Sequence, residues 1–140
     1  MKNISSILPL FLIAVLMGCG ERNKKSNSSS AHDDSPAIIT SAKNYYTKYK
    51  SNTISADEMF LDNKILLSGV VDKVDKNEDG DIYVSFYADD ENSWTGVICF
   101  IKNNDKNIIK QITNGMNIQM QGLGNGYNST FALIKDCVLK

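Results

Sequence analysis

The spacing of hydrophobic positions changes three times along the chain. Residues 4–16 form an almost unbroken apolar run, residues 21–36 contain no tryptophan, tyrosine, phenylalanine or large aliphatic residue, and residues 38–49 carry apolar side chains at three- and four-residue spacings. From residue 64 onward, apolar positions fall in short segments rich in valine, isoleucine and aromatic residues. The pattern predicts a leader, a linker, a helical segment and a β-sheet, in that order.

The first 18 residues have the features of a signal peptide. Lys2 precedes the apolar run, and Gly18 and Cys19 follow it. The run is too short for a transmembrane helix, which needs roughly 20 residues. Its ending is similar to the bacterial lipobox, which implies cleavage before Cys19 and attachment of lipid to this residue. An ordinary signal peptide that happens to contain a cysteine is the alternative.

A lipidated Cys19 would hold the protein at the cell envelope. Each buried CH₂ group contributes ~0.8 kcal/mol, so several acyl chains anchor firmly. Gly20 stands where an aspartate would resemble an inner-membrane retention signal, which favours the outer membrane, facing the periplasm, in a two-membrane cell. Residues 19–36 are then a lipidated cysteine and a flexible tether, and residues 37–140 are the folded domain.

Three helices and five strands are predicted. Two of the helices precede the first strand, and the third lies between the third and fourth strands. The apolar stripe over residues 38–49 predicts a first helix, and Ser55 with Glu58 forms a capping box for a second that runs to about Phe60. The predicted strands are residues 64–74, 81–88, 95–101, 116–122 and 130–139, with a helix at residues 105–113. The predicted connection between the last two strands contains Gly122, Gly124 and Gly126.

This element order predicts an OB-fold, a five-stranded Greek-key barrel with a helix between strands three and four. Gly69 lies in the middle of the first strand, where it is expected to permit a bulge as the strand bends to serve both halves of the barrel. A small β-sandwich or meander with an inserted helix is the alternative. The predicted fold class is mainly β, with one or two N-terminal helices before the barrel.

Short motifs spread over residues 38–140 resemble those of a known family. The matching positions are Tyr49, Asn52, Ala56, Asp57, Phe60, Lys64, Gly69, Val71, Val97, Cys99, Phe100, Gly115, Gly122, Gly124, Asp136 and Cys137. With these residues the sequence resembles the tRNA-anti-like family of OB-fold lipoproteins, named for a likeness to anticodon-binding domains. The resemblance implies an OB-fold and an envelope location, and it implies no established activity.

Cys99 and Cys137 are the cysteines of the folded domain. They fall on the third and fifth predicted strands, which are neighbours in an OB barrel, and export would place them where disulfides persist. A disulfide between them is therefore one expectation. Two buried apolar thiols are the other.

The segment around Gly80 imitates a calcium-binding loop. Asp75, Asn77, Asp79 and Asp81 have the spacing of the first ligands of such a loop. Phe86 stands where a bidentate glutamate is required, and a tight hairpin favours the same residue types. We therefore predict a hairpin here and no metal site.

Aromatic residues of the second and third strands could contact a ligand. Tyr83, Tyr87 and Trp94 are the candidates, together with Phe86 and Phe100, and packing in the barrel core is the alternative for each. Charge argues against nucleic acid, because residues 37–140 contain 11 lysines, no arginine and 13 carboxylate side chains, a net charge of −2. Nucleic-acid binding is the secondary hypothesis.

The chain lacks the usual machinery of an enzyme. His32, the one histidine, lies in the tether, and no nucleophile motif, phosphate loop or metal-ligand spacing is present. We expect no catalysis and no cofactor. The predicted function is a lipid-anchored binding module whose partner is the membrane, through its anchor, and another envelope protein, a peptide or a glycan, contacted near Trp94.

Overall fold

A computed structural model describes residues 35–88 and 94–140. The signal peptide, Cys19, the tether up to residue 34 and His32 lie outside the described residues. In chain order the elements are β1 (Ile38–Ser41), α1 (Ala42–Ser51), α2 (Thr53–Phe60), β2 (Lys64–Lys76), β3 (Ile82–Tyr87), β4 (Gly96–Ile101), a 3-10 turn (Lys102–Asn104), α3 (Lys106–Ile109), β5 (Asn117–Tyr127) and β6 (Phe131–Leu139). Within these two ranges, none of the helices has the length and apolar character needed to cross a membrane.

Five of the six strands close into a barrel. β2 pairs antiparallel with β3, β3 with β4, and β5 with β6, while β4 and β6 are parallel neighbours. Antiparallel pairing of β2 with β5 joins the two ends of the sheet. This is the arrangement of an OB-fold, so the predicted fold is confirmed. The alternative, a small β-sandwich or meander with an inserted helix, is wrong.

β2 is long because it takes part in both halves of the barrel. Its first half pairs with β5 and its second half pairs with β3. The register shift lies between Val71 and Lys73, so the predicted bulge at Gly69 was misplaced. Gly69 is required by packing, because a Cβ atom there would lie 2.9 Å from Ala42 Cβ and 3.0 Å from Phe86 Cδ1. The absence of a side chain at Gly69 lets α1 approach the sheet.

The helix predicted from residue 38 begins four residues later, at Ala42. Residues 38–41 form β1, which pairs in parallel with residues 65–68 of β2. Two isoleucines and a threonine favour an extended backbone, and β2 offers them an edge. Ser41 then caps α1, since its hydroxyl oxygen accepts a hydrogen bond from the backbone N–H of Asn44 at 3.1 Å.

The two later helices also differ from their predicted bounds. α2 is capped by Asn52, whose side-chain oxygen accepts from the backbone N–H of Ser55 at 3.1 Å, so Ser55 is inside the helix and is not its cap. α3 is capped by Asp105 and covers four residues of the nine predicted at 105–113. After Lys110, the backbone N–H groups of Gln111 and Ile112 donate to the carbonyl of the third preceding residue, which ends the α-helical pattern.

α1 closes one opening of the barrel. The helix packs against β2, β3, β4 and β6, and the hydroxyl of Tyr45 donates a hydrogen bond to the backbone carbonyl of Leu133 at 3.0 Å. Its buried residues are Ala42, Tyr45, Tyr46 and Tyr49. The tyrosine stripe predicted for the first helix is therefore buried against the barrel strands.

The glycine-rich segment is part of a strand. β5 continues to Tyr127, and the turn to β6 is made by Asn128, whose side-chain oxygen accepts from the backbone N–H of Phe131 at 2.7 Å. The predicted connection through the glycines was therefore wrong. A Cβ atom on Gly124 would overlap the carbonyl oxygen of Phe60 at the end of α2. Its lack of a side chain lets α2 pack directly on the barrel wall.

Candidate binding face

Most of the outward side chains of β3, β4 and β6 are apolar. Successive residues of a strand point to opposite faces, and an antiparallel sheet that faces solvent on one side normally carries polar residues there. Here six outward positions are apolar and at least partly exposed, namely Tyr83, Tyr87, Ile98, Phe100, Phe131 and Leu133. The polar outward residues of the same strands are Ser85, which is buried, and Lys135. The six apolar residues and Trp94 are termed the outer face. An exposed apolar surface of this kind is typical of an interaction site.

Strand register makes the outer face continuous. Tyr83 lies opposite Phe100, with the two ring centroids 6.0 Å apart. Ile98 lies opposite Leu133, and Phe131 lies opposite Gly96. The apolar surface therefore runs across three adjacent strands, and on β3 it is interrupted by the buried polar residue Ser85, which lies opposite Ile98.

The barrel wall formed by β5 has the opposite character. Its outward side chains near the start of the strand are Asn117, Gln119 and Gln121, while Ile118 and Met120 point into the core. This is the ordinary alternation of a solvated strand. The start of β5 thus presents a polar surface, in contrast to the outward apolar residues of β3, β4 and β6.

A groove of about 420 Å³ crosses the outer face. Trp94, Tyr83, Ile98 and Phe131 supply its apolar lining, and Asp72, Lys73 and Ser85 supply its polar lining. Trp94 is 81% exposed, so it is no plug of the barrel core. A large aromatic side chain beside a groove is the kind of residue that anchors a partner.

Asp72 is the carboxylate of the groove. Its Oδ2 atom accepts a hydrogen bond from the Ser85 hydroxyl at 3.0 Å. The same carboxylate raises the pKa of Tyr87. The larger cause is a hydrogen bond from the Tyr87 hydroxyl to Asp72, and the smaller cause is repulsion between the carboxylate and the phenolate. Asp72 is therefore held in place by two side chains of β3.

Lys73 is the ammonium group of the groove, and neighbouring groups engage it. Its Nζ atom lies 3.5 Å from Asp75 Oδ2 and 5.8 Å from the ring centroid of Tyr83. Interaction with the Tyr83 hydroxyl is the main cause that raises the pKa of Lys73. A hydrogen bond from the backbone N–H of Lys76 is the main cause that lowers the pKa of Asp75, with Lys73 adding to it. Lys73 is the one cation among the described residues that line the groove, and Asp72 in the same lining balances its charge.

The segment that imitates a calcium loop forms the hairpin between β2 and β3. Asn77 Oδ1 accepts from the backbone N–H of Asp81 at 2.8 Å, and Asp75 Oδ1 accepts from the backbone N–H of Lys76 at 2.9 Å. Gly80 has a φ of +88°, which favours glycine. Within the described ranges, no group of three His, Cys, Asp or Glu side chains is placed to hold a metal ion. The side chains of Asn77 and Asp75 serve the turn itself.

Cys99 and Cys137 form a disulfide in the structure. They lie on the parallel neighbours β4 and β6 with their Cα atoms 5.9 Å apart, and both are fully buried. Gly122 on β5 packs beside the bond, since a Cβ atom there would lie 3.0 Å from Cys137 Sγ. The bond links two strands that carry the outer face.

Two of the three contact residues predicted from the sequence meet in one place. Trp94 and Tyr83 both line the groove, while Tyr87 lies at the end of β3 with its hydroxyl beside Asp72. Phe86 is buried in the core, as predicted by the alternative that these aromatic residues pack inside the barrel. The sequence reasoning missed Ile98, Phe131 and Leu133. The signal was present in β4, whose sequence Gly-Val-Ile-Cys-Phe-Ile is apolar on both faces.

The closed five-stranded barrel with its long, shared β2 places the protein among OB-fold proteins. The sequence model of the tRNA_anti-like family matches residues 1–138 of the 140-residue chain. The chain belongs to this family, and the resemblance inferred from the sequence is confirmed.

A solved structure from Klebsiella pneumoniae subsp. pneumoniae MGH 78578 is similar to this chain. It is described as a "putative nucleic acid-binding lipoprotein", and it aligns with a TM-score of 0.57 and 12% identity over 73% of this chain and 92% of its own. At this identity the likeness shows the fold alone. No curated protein sequence matches the chain.

Proposed function

We propose that the protein is a non-catalytic binding module, anchored at the cell envelope by a lipid on Cys19, and that its outer face receives the partner. The observation that carries this proposal is the apolar surface across β3, β4 and β6, with Trp94 81% exposed at its groove. A solvated wall would alternate polar and apolar residues, as β5 does. The same side of an OB barrel commonly binds ligands.

The lipid anchor is supported by Gly18 and Cys19 at the end of the apolar run. The description of the Klebsiella structure as a lipoprotein agrees with it. The test is metabolic labelling with radioactive palmitate in a bacterial host, comparing the natural chain with Cys19→Ser. We expect label and membrane fractionation for the natural chain alone. Equal fractionation of both chains, without label, would overturn the anchor.

The binding role of the outer face is tested by site-specific photo-crosslinking in cells. A benzoylphenylalanine at position 87 lies on the outer face, and one at position 119 lies on the polar wall of the barrel as a matched control. We expect discrete crosslinked products from position 87 and none from position 119. Products that form equally at both positions, or at neither, would contradict a binding role for the outer face.

Nucleic acid is the competing ligand, because the Klebsiella structure is described as nucleic acid-binding and the outer face has aromatic residues on which bases could stack. The charges weigh against it. A phosphate backbone draws most of its non-specific affinity from lysine and arginine, and the groove contains Lys73 already paired with Asp75. Binding of a 15-nucleotide oligo(dT) in 20 mM salt, lost steeply as salt rises, would favour the nucleic-acid function.

A further inference from the structure

The outer face has an acidic border. Residues 72–81, which cover the second half of β2 and its hairpin, contain five carboxylate side chains and two lysines, a net charge of −3. Asp72 lies in the groove itself, and Asp75 lies opposite Tyr83 in the register of β2 and β3. Negative charge therefore adjoins the aromatic part of the outer face directly.

The acidic border is open to solvent. Asp75, Glu78, Asp79 and Asp81 are all exposed, and the hairpin hydrogen bonds that involve Asp75 Oδ1 leave its Oδ2 atom facing Lys73. A cationic group on a partner could approach these carboxylates without first displacing a buried interaction. Charge at such a border steers association and selects the sign of the partner's charge.

We propose that the outer face binds an extended polypeptide segment that carries apolar side chains next to lysine or arginine. The inference rests on the proposed binding function and names its partner class. Apolar side chains would enter the groove beside Trp94, and the basic side chains would meet Asp72, Asp75 and the hairpin. Nucleic acid and anionic lipid would be repelled by the same carboxylates, and a neutral glycan would gain nothing from them.

A peptide mixture tests this proposal on the mature protein. The probe is four repeats of Lys-X-Ser, where X is an equimolar mixture of Leu, Val and Phe. One matched mixture has Glu in place of Lys, and another has Ser in place of X. Trp94 is the single tryptophan of the chain, so its fluorescence reports events at the groove. We expect binding of the Lys-X-Ser mixture alone, weakened about tenfold between 50 mM and 500 mM salt because exposed charges are screened.

Two variants assign the charge dependence to the border. The double variant Asp72→Asn, Asp75→Asn keeps a side-chain acceptor for Ser85 and for the backbone of Lys76, so the hairpin is retained while two charges are lost. We expect the peptide mixture to bind it about tenfold more weakly in calorimetric titration. The control is Glu58→Gln, an exposed charge on α2, which should leave binding unchanged. Equal binding to the double variant and the natural chain would overturn the proposal.

Failure of this inference is separable from failure of the proposed function. If the Glu mixture or oligo(dT) binds at Trp94 and the Lys mixture does not, the outer face is a binding site and the basic-peptide assignment is wrong. If none of the probes binds, the basic-peptide assignment is likewise overturned, and the crosslinking at position 87 then decides whether the outer face binds any partner.

Discussion

Reduction of the bond between Cys99 and Cys137 should lower the free energy of unfolding by about 4 kcal/mol. The two cysteines are 38 residues apart in sequence. Linking them restricts the unfolded chain, and the loop-closure relation gives an entropy loss of about 13 cal/mol/K for that separation, or about 4 kcal/mol at 25 °C. Domains of about 100 residues are stable by roughly 5–15 kcal/mol, so the reduced protein would keep only part of its stability.

The assay is urea unfolding of residues 20–140, in which Cys99 and Cys137 are the only cysteines. With a slope of about 1.3 kcal/mol per molar urea, the unfolding midpoint should fall by roughly 3 M when reductant is present. The double variant Cys99→Ala, Cys137→Ala is the control, because its midpoint should not respond to reductant. A midpoint that falls by less than about 0.5 M, or two thiols that titrate in urea without reductant, would refute the reasoning.

Three further predictions concern packing, a buried hydrogen bond and alkaline pH. Gly124→Ala should destabilise the protein by roughly 2–4 kcal/mol in urea unfolding, because the added methyl would overlap the Phe60 carbonyl oxygen and force α2 off the barrel. Tyr45→Phe should cost about 1–2 kcal/mol by the same measurement, since the Leu133 carbonyl loses its donor. Burial raises the pKa of Tyr49 to about 12, so the unfolded state loses this proton first and stability should fall between about pH 10 and pH 12, by about 1.4 kcal/mol per pH unit.

Matched variants separate these effects from general damage. Gln119→Ala, on an exposed part of the same strand as Gly124, should change stability by less than about 0.5 kcal/mol. Tyr127→Phe removes an exposed hydrogen bond to Ser129 and should cost less than Tyr45→Phe. Burial raises the pKa of Tyr45 as well, so Tyr49→Phe should reduce the slope of the stability curve between pH 10 and pH 12 without abolishing it, and an unchanged slope would contradict the assignment to Tyr49.

The barrel itself could be predicted from the sequence because the five strand segments and their turn residues are local signals. The start of α1 could not, since residues 38–41 fit either a helical stripe or a strand until β2 offers them an edge. The sequence predicts a turn for the glycine-rich part of β5 for a related reason. Local preference allows glycine in turns, and only the packing of α2 against Gly124 shows why the strand needs it.

The candidate site was half predictable. Trp94 and Tyr83 stood out as large aromatic residues in or near strands, and the structure brings both to one groove. Phe131 and Leu133 carry no such signal, because a terminal strand with apolar residues on both faces looks like a buried strand. Their exposure depends on which elements cover the barrel, and that is a property of the whole fold.

The place of α1 in chain order has a consequence for synthesis. A ribosome makes this helix before any barrel strand, yet its tyrosines are buried against strands that include the last one, β6. Until Leu133 has been added, the hydroxyl of Tyr45 has no carbonyl to meet. The chain should therefore acquire its native contacts late and nearly all at once, as expected for a fold dominated by non-local strand pairing.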